Sequence, residues 1–291
     1  MDLANVIGAG VLLGGIYALI SIGLTLIFGV IRVVNFAQGE FVMLGMYGAY
    51  AAHAVSGVDP YLSILVVAPA AFLLGVVIQR VVIQPLLDEP LMQVFATFGL
   101  VIIFQNVVLW ATGGVPKTVR NSFSGSSVDL GFVTLSAPRV VVFIVATALA
   151  VGLVLFLRRT VLGTAIRAVS QDRDAAELMG IDVPKLYMLT FGIGTALAAI
   201  AGVLLAPVFT LTPTIGFNFI LPAFAVVILG GFGSVKGAYL GGLIVGVVES
   251  LAGYYLDPSL KQAVWFTLFI AVLVIRPQGF FGRVGEAEAA A

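Results

Sequence analysis

The 291-residue sequence has no cysteine, a single histidine and charged side chains at only 10% of its positions. Without cysteine, neither a disulfide nor a thiolate metal site can form. One histidine, His53, makes neither a metal site nor a catalytic triad. No H-E-x-x-H run and no nucleophile with a visible base takes their place, so enzyme chemistry is not expected. A G-x-x-x-x-G-K-[ST] run is also lacking, so a P-loop nucleotide site is not expected in this chain. The 14 basic and 14 acidic residues cancel, so the placement of charge carries the information, and no nucleic-acid partner or bound cofactor is expected. The opening MDLANVIGAG lacks the basic segment of a cleavable signal, and the apolar stretch behind it is too long for one. It reads as a retained membrane helix.

What is present in excess is apolar. Hydrophobic residues make up 61% of the chain and mean hydropathy is +1.17, far from the composition of a soluble domain. Crossing a hydrocarbon core of roughly 30 Å takes about 20 apolar residues per helix. Runs at 6–30, 40–55, 61–82, 92–111, 139–157, 187–207, 217–232, 237–256 and 262–276 give nine candidate spans. Those at 40–55 and 217–232 are short, so eight to ten is the expected range. The expected fold class is an all-α integral membrane protein, a polytopic bundle forming a single transmembrane domain over residues 1–291. Gly10, Gly14 and Ala18, Gly194, Ala198 and Gly202, and Gly242, Gly246 and Ser250 recur at four-residue steps. Such stripes mark faces on which helix backbones approach closely in lipid.

Basic residues near helix ends are held on the cytoplasmic side. With the N-terminus outside, Arg32, Arg80, Arg158, Arg159, Arg167, Arg173, Lys185, Lys236, Arg276 and Arg283 fall inside, and Lys117, Arg120, Arg139 and Lys261 fall outside. This asymmetry favours an external N-terminus and a cytoplasmic C-terminus. Residues 112–138, rich in Gly, Ser and Pro, then form an external loop that either caps the external mouth or is simply solvated. Residues 158–186 form the principal cytoplasmic loop. The tail EAEAAA is expected to fray.

That cytoplasmic loop concentrates charge in an otherwise apolar chain. In RAVSQDRDAAELMGIDVPKLY, residues 167–187, Ser170 or Asp172 can cap a helix and Asp172 and Asp174 suit its positive end, while Gly180 supplies a left-handed stop. A two-turn helix from Asp172 to Met179 follows, with Ala175, Leu178 and Met179 on one apolar face and Arg173 and Glu177 on its flank. Asp182 then caps the next helix, with Pro184 in its first turn. Two turns are too short to be stable alone. Balanced charge and an Ala-Leu-Met face fit a groove in a partner protein better than a membrane surface; a solvated connection is the other reading.

Polar groups inside spans cost free energy and need an account. Glu249 lies mid-span and is expected to face the bundle interior or a wet path. Glu40, after Asn35 and Gln38, is expected to cap a helix at the cytoplasmic interface, with an inner gate as the other reading. Gln105 and Asn106 are adjacent and point about 100° apart, so one at most lines a path. Thr210, Thr212, Thr214 and Asn218 read chiefly as turn and cap residues near the external end. GGFGSVKG, between two spans, reads as a tight turn and not a nucleotide loop.

The run from Gly163 to Asp182, G-x-A-x-R-A-V-S-Q-D-x-x-A-A-x-L-M-G-I-D, resembles the coupling loop of branched-chain amino acid permeases in ABC importers. Gly14 to Tyr50, with NFAQGE at Asn35 to Glu40, and ILGGFGSVKGAYLGG at Ile228 to Gly242 resemble segments of the same LivH-type family in the same order. This resemblance implies a permease subunit of a bacterial or archaeal cytoplasmic membrane, importing Leu, Ile and Val by alternating access. It implies two ABC ATPase subunits, which carry ATP and Mg, a second homologous permease subunit and an external substrate-binding protein. It further implies that Arg167, Asp172, Arg173, Asp174, Ala175, Glu177, Leu178, Met179 and Gly180 couple to the ATPase. Asn35, Gln38, Glu40, Gln105, Asn106, Asn218 and Glu249 are the candidates for the substrate pathway. A permease for urea, short amides or another amino acid is the nearest alternative. An ion-coupled secondary transporter is the alternative from another class; it would be expected to carry more intramembrane carboxylates than Glu249.

Overall fold

The computed structural model describes residues 3–121, 125–129, 134–256, 260–276 and 279–280. Arg283, the tail EAEAAA and part of the 112–138 loop lie outside the described residues. Each of the nine apolar runs coincides with a helix: α1 (Leu3–Ile31), α2 (Gln38–Ser56), α3 (Ile64–Ile78), α4 (Pro90–Thr112), α5 (Ala137–Arg159), and, beyond two further helices α6 (Val161–Gln171) and α7 (Arg173–Leu178), α8 (Val183–Leu205), α9 (Phe217–Gly230), α10 (Val235–Tyr255) and α11 (Lys261–Ile275). Among the described residues, six helical stretches are long and apolar enough to cross a membrane: α1, Pro60–Leu86 around α3, α4, α5, α8 and α10. The segment Phe217–Gly230 is an apolar helix too short for this on its own, as the 217–232 run suggested. One exception to the all-α expectation is a hairpin of β1 (Ser127–Asp129) and β2 (Thr134–Ser136), paired antiparallel.

Apolar residues surround α1 on every side, and a helix without a polar face has to be buried. It is buried along most of its length, as is α8, whereas α3, α4 and α5 are mostly exposed and form the periphery. The small-residue stripes explain the contacts. A Cβ built on Gly14 would lie 2.6 Å from Leu243 Cα, one on Gly10 2.7 Å from Val247 Cα, and one on Gly242 2.6 Å from Ala18 N. So α1 and α10 touch backbone to backbone, and Ser250 Oγ completes the seam by donating to Val6 O at 2.7 Å. The α8 stripe packs the same way against α1 and α2, with Gly194 against Gly23 and Gly202 against Val42.

The connection from α1 to α2 is sharp. Arg32 closes α1 with φ +59°, a left-handed conformation that costs a non-glycine residue about 1–2 kcal/mol and is held here by its surroundings. Six residues later Gln38 donates from Nε2 to Gly194 O at 3.2 Å, at the midpoint of α8. Gly39 packs against Gly216, where α9 begins. The first turns of α2 and α9 therefore meet within the bundle and not at its rim.

Asn5 Oδ1 accepts from Thr134 N at 2.8 Å, and Lys117 pairs with Leu211. The start of α1, the hairpin, the ends of α4 and α8 and the start of α5 thus share one side. Following the helices in order, Arg32, Arg80, Arg158, Arg159, Arg167, Arg173, Lys185, Lys236 and Arg276 lie at the opposite side, and Lys117, Arg120, Arg139 and Lys261 at the hairpin side. The element order thus groups these basic residues at two opposite ends, without Arg283, which lies outside the described residues.

Candidate functional site

Three groups of residues stand out from the apolar bundle. The first lies between α5 and α8. Thr160 caps α6, its Oγ1 accepting from Gly163 N at 2.9 Å, and Gly163 lets α6 fold back onto Phe156 and Leu157 of α5. This helix was not anticipated from sequence. Its signal is the buried set Gly163, Ile166 and Val169 at three-residue steps, which the charge of the stretch obscured. Asp172 Oδ1 then accepts from Ala175 N at 2.9 Å and starts α7; Ser170 instead donates to Arg167 O, so of the two candidate caps Asp172 is used. Gly180 is left-handed with φ +82°, as its position required.

On α7 only Ala176 is buried; it packs inward, and the Arg173 guanidinium sits 5.9 Å from the Tyr187 ring of α8. Leu178 and Met179 are 89% and 82% exposed, and Arg167, Asp172, Asp174, Ala175, Glu177 and Gly180 are exposed with them. The expected apolar face of Ala175, Leu178 and Met179 therefore stands free of the chain's own bundle. Asp182 Oδ1 caps α8 through Lys185 N, and the Lys185 ammonium hydrogen-bonded to Asp182 holds its carboxyl below the usual carboxylate range.

The second group is a buried polar cluster where α2 begins. Asn35, Gln38 and Glu40 are almost wholly inaccessible. Asn35 Nδ2 donates to Gln38 Oε1 at 3.3 Å, and its Oδ1 accepts from Ala37 N at 3.1 Å. Glu40 stands in the first turn of α2, yet its side chain is not the interfacial cap expected from sequence. Its Oε1 accepts from Gln105 Nε2 of α4 at 2.9 Å and faces Gly216 at the start of α9, while Oε2 is buried without a partner. Glu40 therefore joins Glu249 as a carboxylate within the bundle. Asn106 turns away, donating to Ile102 O of its own helix at 2.8 Å, so Gln105 alone of the pair reaches inward.

The third group lines a cavity of about 470 Å³ between α1, α5, α9, α10 and α11. Tyr17 Oη donates to Glu249 Oε2 at 2.8 Å, which supplies the partner that sequence did not name. Asn218, Arg139 and Lys261 line the same space. Tyr17, Arg139 and Lys261 were missed as candidates. Sequence offered little signal for pairing Tyr17 with Glu249: the antiparallel stripes of α1 and α10 set Glu249 level with residues near Gly10, about two turns from Tyr17, and the length of the two side chains brings them together. Asn35, Gln38, Glu40 and Gln105 are thus gathered in one place and Asn218 and Glu249 in another. Thr212 and Thr214 close turns through their carbonyls, accepting from Ile215 N and Phe217 N. His53 sits at the end of α2 beside the Val58 carbonyl, at 2.8 Å. GGFGSVKG is a tight turn, with Gly231 and Gly233 at positive φ and Ser234 capping α10.

No solved structure matches the chain. The branched-chain amino acid permease LivH of Salmonella typhimurium is 36% identical to it, over 94% of both chains. BraD of Pseudomonas aeruginosa, described in the same terms, is also 36% identical over 94% of both. A probable LivH of Methanocaldococcus jannaschii is 29% identical over 95% of this chain and 92% of its own. The model of the family "Branched-chain amino acid transport system / permease component" matches residues 6–273, and this multi-pass membrane protein belongs to that family, whose members are transport components and not enzymes.

Proposed function

We propose that this chain is the membrane-spanning permease subunit of an ATP-driven importer that carries leucine, isoleucine and valine across the cytoplasmic membrane. The observation that carries this reading is the end-to-end similarity to permeases described as serving branched-chain amino acids. The chain crosses nine times, with the hairpin side outside and α6 and α7 in the cytoplasm, as the basic residues favour. It pairs with a second homologous permease subunit, receives substrate from an external binding protein, and leaves ATP and Mg to two ATPase subunits.

The exposed Ala175, Leu178 and Met179 face of α7 supports a docked ATPase, since helix-in-groove recognition uses anchors at this spacing. Arg167, Asp172, Arg173, Asp174, Glu177 and Gly180 frame that contact. Force applied to α7 reaches α8 through Ala176 and the Arg173–Tyr187 contact, and reaches α5 through α6. Alternating access then follows as a rigid displacement of these helices when the ATPases close. Asn35, Gln38, Glu40, Gln105, Asn218 and Glu249 flank the pathway.

Uptake of radiolabelled leucine by cells with and without the chain tests the reading, with isoleucine, valine and urea as competitors. Chain-dependent uptake suppressed by isoleucine and valine is expected. Competition by urea alone refutes the amino-acid assignment.

A further inference from the structure

We propose that the cavity between α1, α5, α9, α10 and α11 is a binding site for one zwitterionic α-amino acid with an apolar side chain, in which Glu249 receives the ammonium and Lys261 and Arg139 receive the carboxylate. The inference rests on the reading of the chain as an amino-acid permease. It adds a defined site within a single subunit, built from named groups.

A cavity of about 470 Å³ lies within the range of small-ligand pockets, which pair apolar walls with a few placed polar groups. Here Leu13, Phe219, Pro222 and Trp265 supply the wall. Tyr17 fixes the Glu249 carboxylate through Oε2, and Oε1 has no hydrogen-bond partner among the described residues. The Lys261 side chain lies on Gly253, one helical turn beyond Glu249: a Cβ at Gly253 would come 2.9 Å from Lys261 Nζ. Lys261 and Glu249 nevertheless form no ion pair among the described residues. The side chains of Arg139 and Asn218 likewise make no hydrogen bond among the described residues. Opposite charges thus flank one half-apolar space, with Lys261 near enough to attract Glu249 but without a direct ion pair between them.

Glu249, Lys261 and Arg139 are each partly buried, and charges partly withdrawn from water gain from partners. An α-amino acid carries an ammonium and a carboxylate on one carbon, so it can pair both signs at once while its side chain meets the apolar wall. A urea molecule, with no charge, would leave all three groups unpaired. The cavity reaches from Asn5 to Tyr17 along α1, about 18 Å of helix from the hairpin side toward the middle of the bundle.

The test is binding of tritiated leucine to the purified full chain in lipid nanodiscs, competed by leucinol, which lacks the carboxylate, and isocaproate, which lacks the ammonium. Saturable leucine binding is expected, with both analogues at least tenfold weaker. Glu249→Gln should weaken leucine at least tenfold while changing isocaproate less than twofold, and Lys261→Gln should do the same for leucine relative to leucinol. No saturable binding, analogues as good as leucine, or equal losses for leucine and its analogues in the variants would overturn the proposal. Leucine uptake by the intact importer separates the two readings. If wild-type uptake is normal and Glu249→Gln binds leucine unchanged, only the cavity assignment fails; if the wild type does not take up leucine, both fail.

Discussion

Replacing Gly14 by valine tests whether the α1–α10 seam holds the bundle. The β-carbon alone would lie 2.6 Å from Leu243 Cα, whereas carbons rest at about 3.5–4.0 Å, so the seam must open by about 1 Å. The obstacle is backbone on both sides, and no side-chain rotation relieves it. Overpacking of this kind costs about 1–3 kcal/mol. Opening the seam also stretches Tyr17–Glu249 and Ser250–Val6, at 2.8 and 2.7 Å, and interhelical hydrogen bonds in membranes contribute about 0.6 kcal/mol each. A loss of about 2–4 kcal/mol follows. Reversible unfolding of the full chain by graded SDS, in mixed micelles, measures it. Gly99→Val is the comparison, since a Cβ at Gly99 meets nothing within 4 Å and should change stability by less than about 0.5 kcal/mol. Equal midpoints for the two variants would show that the seam does not constrain the fold as described.

Two further outcomes are expected. Ala175→Arg puts bulk and positive charge on the exposed face of α7 while leaving the buried Ala176 in place, so membrane insertion should be unchanged and co-purification of the ATPase lost; undiminished co-purification refutes the docking assignment. Gln105→Leu removes the donor to Glu40 Oε1 when Oε2 is already unpartnered, which should cost about 1–3 kcal/mol, and Glu40→Gln should recover part of that loss in the double variant, as read by the same SDS unfolding.

Most of the helices were legible because lipid imposes one pattern, the long apolar run, and nine such runs became nine helices. The stripes of small residues were legible for the same reason: in lipid close backbone contact replaces burial from water as the gain. Depth was not legible. Glu40 looks interfacial in sequence because Arg32 ends one helix a few residues before it, yet Gln38 bonds to the midpoint of α8. The left-handed turn at Arg32 takes the chain back into the bundle, and nothing in the residue type announces it, since such turns ordinarily use glycine. The cavity escaped for a related reason. Its charged groups come from positions 139, 249 and 261, on helices whose adjacency is set by tertiary packing. Arg139 and Lys261 each read singly as a residue at a helix start. The α7 segment, by contrast, was read nearly to the residue, because caps and stops act within four positions and Asp172 and Gly180 are local signals.

The two ends of the bundle are mechanically linked by unequal ties. Arg139 opens α5 in the cavity wall, and the far end of the same helix carries α6, so a displacement at α6 travels along about 34 Å of continuous helix. A second route runs from α7 through Tyr187 to α8, from Gly194 of α8 to Gly23 of α1, and from α1 across the glycine seam to α10 and Glu249. From α8 to α1 and from α1 to α10 the contacts along this route are backbone against backbone and leave little freedom. Between α5 and α10, however, the side-chain hydrogen bond among the described residues is that of Thr147 Oγ1 and Tyr239 Oη, at 2.7 Å, and α5 meets α1 through the Phe143 ring against Gly15. Side-chain contacts of this sort can exchange partners with little loss. The sequence therefore builds a stiff unit of α1, α8 and α10 that holds Glu249, and a more weakly tied α5 that holds Arg139. Movement of one against the other changes the spacing of opposite charges in the cavity.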